Sequence, residues 1–203
     1  GECIGIQTAA LWFGGVRAPG PGAQDIAEQY NGSAWTEVGD LNAARDNIAG
    51  AGTTSAGLAF GGASPAAPNL DNESEEYNGT SWAEGNNLNT ARRELAAAGI
   101  QTAALGFGGA SDSDDSESYN GTSWTEVANM NTGRDELGGI GTATAALAVG
   151  GHPTNANNEL YNGTAWTEVA DINTGRHAMG AAGTSTSGIM FGGNSGTAEA
   201  KSE

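Results

Sequence analysis

The sequence predicts an all-β chain, a β-propeller of about five blades whose fifth is incomplete. The stretch Tyr119-Asn-Gly-Thr-Ser-Trp124 recurs with small changes from Tyr30, Tyr77 and Tyr161. A second signal, small and apolar residues closed by Gly-Gly, ends at Gly15, Gly62, Gly109, Gly151 and Gly193. The two signals alternate with a period of roughly 42–47 residues and leave room for about four short strands per unit, the mark of a propeller blade. The blades then span about 1–43, 44–90, 91–132, 133–174 and, in part, 175–203 of a single domain.

One repeat shows how each element is specified. Strand A, residues 94–99, carries small side chains suited to a crowded inner edge. A turn near Ile100-Gln101 leads to strand B, residues 102–107, which Gly108-Gly109 ends. A polar loop, 110–117, leads to strand C around Ser118-Tyr119, and Asn120-Gly121 turns the chain into strand D, 124–127. Asn-Gly between strand formers is a strong hairpin signal because both residues accept positive φ. Tyr119 and Trp124 flank that turn and can pack as a cross-strand or inter-blade pair. An Asn-containing link then reaches Arg134, as others reach Arg45, Arg92 and Arg176. The uncharged stretch around 95–110 is short and rich in Gly and Thr, so two buried strands are expected there, not a membrane span.

The repeat register places residue 1 inside a strand A and residues 198–203 just before a hairpin. The fifth blade therefore either closes with three strands or belongs to a longer array. Glu199, Lys201 and Glu203 would protect its open edge with charge. Gly1-Glu2 opens directly on repeat sequence, so no signal peptide is visible and an upstream segment is left open.

Composition removes whole classes of function. The chain has 203 residues and a net charge of -17, from 24 acids and seven bases. Four of the seven bases are the repeated arginines, so no basic surface can be assembled for DNA, RNA or anionic lipid. Cys3 is the only cysteine, which excludes an internal disulfide and a thiolate metal cluster. Nucleophile elbows, phosphate loops and His-rich zinc motifs are missing.

The order of strand A after an Arg, hydrophobics ending in Gly-Gly, Tyr, a short turn and Trp-Thr-x-Val resembles the kelch repeat over essentially the whole chain. It departs in the turn, where Tyr and Trp stand closer than is usual in kelch repeats. The compact Thr-Ala-Ala-Leu-x-Phe-Gly-Gly and Tyr-Asn-Gly-Thr-Ser-Trp-Thr forms are similar to repeats of virion and tail-associated proteins of marine bacteriophages. That resemblance implies an extracellular or virion-surface role, adhesive or structural. A weaker likeness, to the sialidase Asp-box, fails by one residue at Ser118-Tyr-Asn120-Gly121.

In such a blade the A–B and C–D turns share one end, and the B–C and D–A loops share the other. The turns hardly vary between repeats, whereas the B–C loops 16–28, 63–76, 110–117, 152–159 and 194–201 differ freely. Any recognition is expected on that loop face, and Arg17, Asp71, Asp112, Asp114, Asp115 and His152 are its candidate ligand-binding residues. The acidic run 112–117 suits Ca²⁺ in composition, yet it has neither the sixth-position Gly nor the distal Glu of a calcium loop. No metal or cofactor is assigned, with Ca²⁺ the one considered, and no catalytic residue is assigned. His177, at the start of a strand, is expected to pack at a loop end. The repeated Glu37, Glu84, Glu126 and Glu168 are expected to pair with the repeated arginines, tying strand D to the next blade. The sequons at Asn31, Asn78, Asn120 and Asn162 are turns in their own right, and Asn72 adds a fifth.

These features predict a non-enzymatic adhesion module whose partner is a glycan or a neighbouring structural protein, with neither nucleic-acid binding nor membrane insertion. A purely structural spacer, oligomeric through an open blade edge, is the alternative. A carbohydrate-active enzyme is the third. Kelch propellers also include copper oxidases, and the copper ligand set of Cys with Tyr and His is missing here.

Overall fold

The computed structural model describes residues 1–17, 22–64, 70–153 and 155–196. Among them are eighteen β-strands and no helix. The residues group into two compact units. The first contains residues 1–93, 100–102 and 120–124; the second contains 94–99, 103–119 and the chain from 125 onward. Glu199, Lys201 and Glu203, with the edge protection expected of them, lie outside the described residues.

Each of the first four repeats forms a four-stranded antiparallel sheet in simple up-and-down order. The first unit holds β1 (Glu2–Ile6), β2 (Ala9–Phe13), β3 (Ala27–Tyr30) and β4 (Trp35–Glu37) as one sheet. Its second sheet is β5 (Ala49–Thr53), β6 (Ala56–Phe60), β7 (Ser74–Tyr77) and β8 (Trp82–Glu84). The third sheet, β9 (Ala96–Ile100), β10 (Ala103–Phe107), β11 (Ser116–Tyr119) and β12 (Trp124–Glu126), lies mainly in the second unit. There follow β13 (Gly138–Thr142), β14 (Ala145–Val149), β15 (Asn158–Tyr161) and β16 (Trp166–Val169). The fifth repeat gives β17 (Gly180–Thr184) and β18 (Ser187–Phe191), a two-stranded sheet among the described residues. The uncharged stretch 95–110 forms β9 and β10, with Ala96, Ala98, Ala104, Leu105 and Phe107 buried.

Small residues at the first two strands let neighbouring sheets approach. A Cβ on Gly57 would lie 3.1 Å from Ile4 Cδ1 and 3.2 Å from Leu11 Cδ2. Gly52 has a φ of 114°, and a side chain there would run into the carbonyl oxygen of Ala56 on the paired strand. Only glycine fits that position without strain. The aromatic side chains come from the second, third and fourth strands. Trp82 packs on Tyr77 of its own sheet (ring centroids 5.0 Å apart) and on Phe13 of the preceding one (5.0 Å). Trp166 repeats this in the second unit, with Tyr161 at 5.1 Å and Phe107 at 5.0 Å. Both packings expected of the aromatic pair are therefore used at once.

The hairpin between strands C and D is built differently from expectation. Tyr77 faces Trp82 and Tyr161 faces Trp166 across the ladder, so the loop has four residues and is not a two-residue Asn-Gly turn. Gly79 has a φ of 92°, but the asparagine is not among the residues with positive φ. Instead, Asn78 Oδ1 accepts the N–H groups of Thr80 (2.9 Å) and Ser81 (3.0 Å). Asn31, Asn120 and Asn162 do the same for their own loops. Asparagine recurs because its short amide acceptor closes the loop.

The repeated arginines also correct an expectation. Glu37, Glu84, Glu126 and Glu168 are exposed. Arg45 Nη2 instead meets Glu75 Oε1 at 2.8 Å, and Arg134 Nη1 meets Glu159 Oε1 at 2.7 Å, all four side chains being buried. The arginine enters beside the first strand of its own sheet, so the carboxylate on the third strand is within reach. Glu84 and Glu168, directly opposite on the outermost strand, lie beyond it. The link completes the carboxylate's shell: Asn42 donates from its backbone (2.7 Å) and its amide (2.8 Å) to Glu75 Oε2. Asn131 treats Glu159 Oε2 identically.

The same arginines are held to the preceding sheet by their backbone. Gly15 N–H donates to Arg45 O, Gly62 to Arg92 O, Gly109 to Arg134 O and Gly151 to Arg176 O, at 2.8 to 3.0 Å. In return the arginine N–H groups donate to Gln24, Asp71, Ser113 and Asn155 carbonyls. Replacing Glu75 by Ala leaves a buried guanidinium without its counter-charge and is expected to cost about 3–5 kcal/mol in urea unfolding. Glu84→Ala, on the exposed neighbour, is expected to cost less than about 0.5 kcal/mol.

One acid in the first unit carries a pH signature. Glu2 lies on β1 against Gly50, and burial pushes its carboxyl up to about 7, opposed more weakly by the Cys3 N–H and the terminal amino group. A pKa raised by folding favours the protonated native state, so this stability is full below the unfolded carboxylate range and is lost as pH rises through 7. Unfolding midpoints measured from acid to neutral pH are expected to fall in the wild type and to flatten in Glu2→Gln.

Candidate metal and ligand site

The B–C loops leave each sheet directly after the Gly-Gly pair, and the links enter the next sheet directly after the arginine. Those two points are joined by short backbone bridges: Asp46 with Ala63, Asp135 with His152, and His177 with Asn194. Hydrogen bonds hold them, among them His152 N–H to Asp135 O at 2.8 Å and His177 N–H to Asn194 O at 3.1 Å. The frame thus presents one pair of side chains at each bridge, and the residue types change from repeat to repeat.

At the Asp135–His152 bridge, in the second unit, three metal-capable side chains meet. Asp112, Asp135 and His152 each place a ligand atom within 4.8 Å of the others, and among the described residues no other group of three or more does so. His152 Nδ1 lies 3.4 Å from Asp135 Oδ1, with the imidazole half-exposed and the carboxylate largely buried. Burial raises the Asp135 carboxyl above the ordinary range; His152 and His177 draw it down, and Glu136 and Asp112 push it up. The imidazoles of His152 and His177 stack with centroids 5.4 Å apart and planes 15° from parallel. His177 Nδ1 lies 3.2 Å from Glu136 Oε2, an ion-pair contact without hydrogen-bond alignment.

The loop bearing Asp112 lies directly on the link before Arg134. A Cβ on Gly133 would collide with the backbone carbonyl of Asp112 and approach Asp114 N to 3.1 Å. The corresponding link positions in the first two joints are Ala44 and Ala91. Glycine at 133 therefore makes room for this loop to rest beside Asp135.

The other expected site residues part company. Asp71 is buried, and its Oδ1 accepts Glu73 N–H at 3.0 Å, closing its own turn. Ser113 Oγ and Asn155 Oδ1 close the matching turns in their loops, so Asp71 belongs to the frame. Asp114 and Asp115 both accept from Asn129 Nδ2 at 3.3 Å and do not join Asp112. The acidic run consequently divides between two structural tasks. Arg17 is exposed in the first unit.

Asp135, Glu136 and His177 were not expected at a site. The repeat itself carries the signal for Asp135 and His177, because at three joints the residue after the Arg and the residue after the next Gly-Gly occupy the two sides of a bridge. Comparison with protein-family models and with curated proteins finds no match to this chain.

Gly133→Ala is expected to push the 111–114 loop off the link and to cost about 1–3 kcal/mol by overpacking, measured by urea unfolding.

Proposed function

We propose that the chain is a kelch-like β-propeller of about five blades, the fifth incomplete, that acts without catalysis as a surface or virion-associated binding module. Its ligand is a glycan taken on the B–C loop face. The observation that carries this reading is the division between frame and loops. Arginine, Gly-Gly, asparagine turns and aromatic pairs repeat with the same contacts, whereas the residues facing each other across the bridges change. Constant scaffolds with variable loops at one end are the usual arrangement of recognition surfaces. The resemblance to kelch and marine-phage repeats supports the virion-surface setting.

A second reading, an assembly module, has its own observation. Ile189 and Phe191 on β18 are about half-exposed (49% each). A groove of about 280 Å³ lined by Leu147, Leu160 and Val169 runs beside the β17–β18 turn. A strand edge that is unpaired among the described residues and has apolar neighbours can accept a strand from another protein.

A glycan array probed with the whole chain, in Ca²⁺ and again with chelator, tests the first reading. Specific binding that is competed by free sugar and lost on Arg17→Ala or Asp114→Asn is expected. A blank array, together with concentration-dependent association that Phe191→Ser abolishes, would replace it with the assembly module.

A further inference from the structure

We propose that Asp112, Asp135 and His152 form a binding site for a divalent transition-metal ion of the zinc class. The donor set is one imidazole and two carboxylates, each offering an atom within 4.8 Å of the others. The 3.4 Å between His152 Nδ1 and Asp135 Oδ1 matches the edge of a tetrahedron with metal–ligand bonds of about 2.0–2.1 Å, an edge of roughly 3.3–3.4 Å. A nitrogen donor with two carboxylates suits zinc or its neighbours, whereas calcium needs about six to eight oxygens. Three protein ligands leave a coordination position open to water or to an oxygen of an incoming molecule.

Two features beyond the donors support the site. His177 stacks on His152 at 5.4 Å and itself contacts Glu136, so an outer layer fixes the imidazole plane. The three donors also come from three segments that the frame brings together: the bridge sets Asp135 against His152, and Gly133 admits the Asp112 loop. At the other bridges the residue after Gly-Gly is Ala63 or Asn194, and no comparable set forms among the described residues. The site is thus particular to one joint and stands whether or not the loop face binds a glycan.

The test uses the whole tag-free chain, stripped with chelator and titrated with Zn²⁺ by calorimetry, with Co²⁺ as a spectroscopic probe. One Zn²⁺ per chain is expected, and Co²⁺ should give the intense visible band of a tetrahedral site. Asp112→Asn, Asp135→Asn and His152→Gln should each weaken Zn²⁺ binding by at least about tenfold, while Glu168→Gln, at an exposed position on β16, leaves it unchanged. Asp112 is in an exposed loop, so its variant keeps the test readable if the others fold poorly. Absence of Zn²⁺ binding, unchanged affinity in Asp112→Asn, or displacement by equimolar Ca²⁺ would overturn the proposal.

Discussion

The arginine at the end of each link is the constraint on which the described structure depends. Its backbone carbonyl accepts from the second glycine of the preceding sheet, and its backbone N–H donates into that sheet's loop. For Arg45 and Arg134, the guanidinium then reaches into the following sheet and meets a buried glutamate. One residue therefore joins two sheets through three sets of polar groups, all removed from water. A buried pair of this kind contributes little net stability over an apolar substitute, but it penalises misplacement heavily. That penalty suits a chain of near-identical repeats, in which the main hazard is one sheet docking in the wrong register.

Burial of these arginines also changes the meaning of the charge. Arg45, Arg92, Arg134 and Arg176 are all at most 2% exposed. Four of seven cationic side chains are internal, and so are the acids Asp71, Glu75, Glu117 and Glu159, so burial leaves the net charge unchanged while the remaining cations become few.

Much of the frame was legible in the sequence. The period placed β10 and β12 within a residue of their observed bounds, because Gly-Gly and Trp punctuate each repeat unambiguously. The arginine's partner was not legible. Glu75 and Glu84 both stand two residues from an aromatic on the same face, and they sit directly opposite each other in the ladder. Parity along a strand cannot separate them; only distance from the link does, and distance needs the sheet. The asparagine turn was located correctly but explained by the wrong property, since backbone permissiveness and side-chain acceptance favour the same residue. Asp112 and His152 were chosen as loop residues without any sign that they meet. Asp135 was hidden because a residue following a structural arginine looks like part of the frame.

The site follows from how little must change on such a frame. The Asp46–Ala63 bridge and the Asp135–His152 bridge have the same backbone connection, yet only the latter carries two donors. A histidine after Gly-Gly and a glycine in the link suffice to gather a third donor from the neighbouring loop. On an acidic surface, a cation held there would supply the one chemistry that the exposed side chains otherwise offer sparsely, a positive centre for an oxygen ligand. Sugar hydroxyls and carboxylates both present such oxygens. The proposed metal site and the proposed loop-face recognition therefore rest on separate observations while using the same geometric fact, that the frame fixes where variable residues face one another.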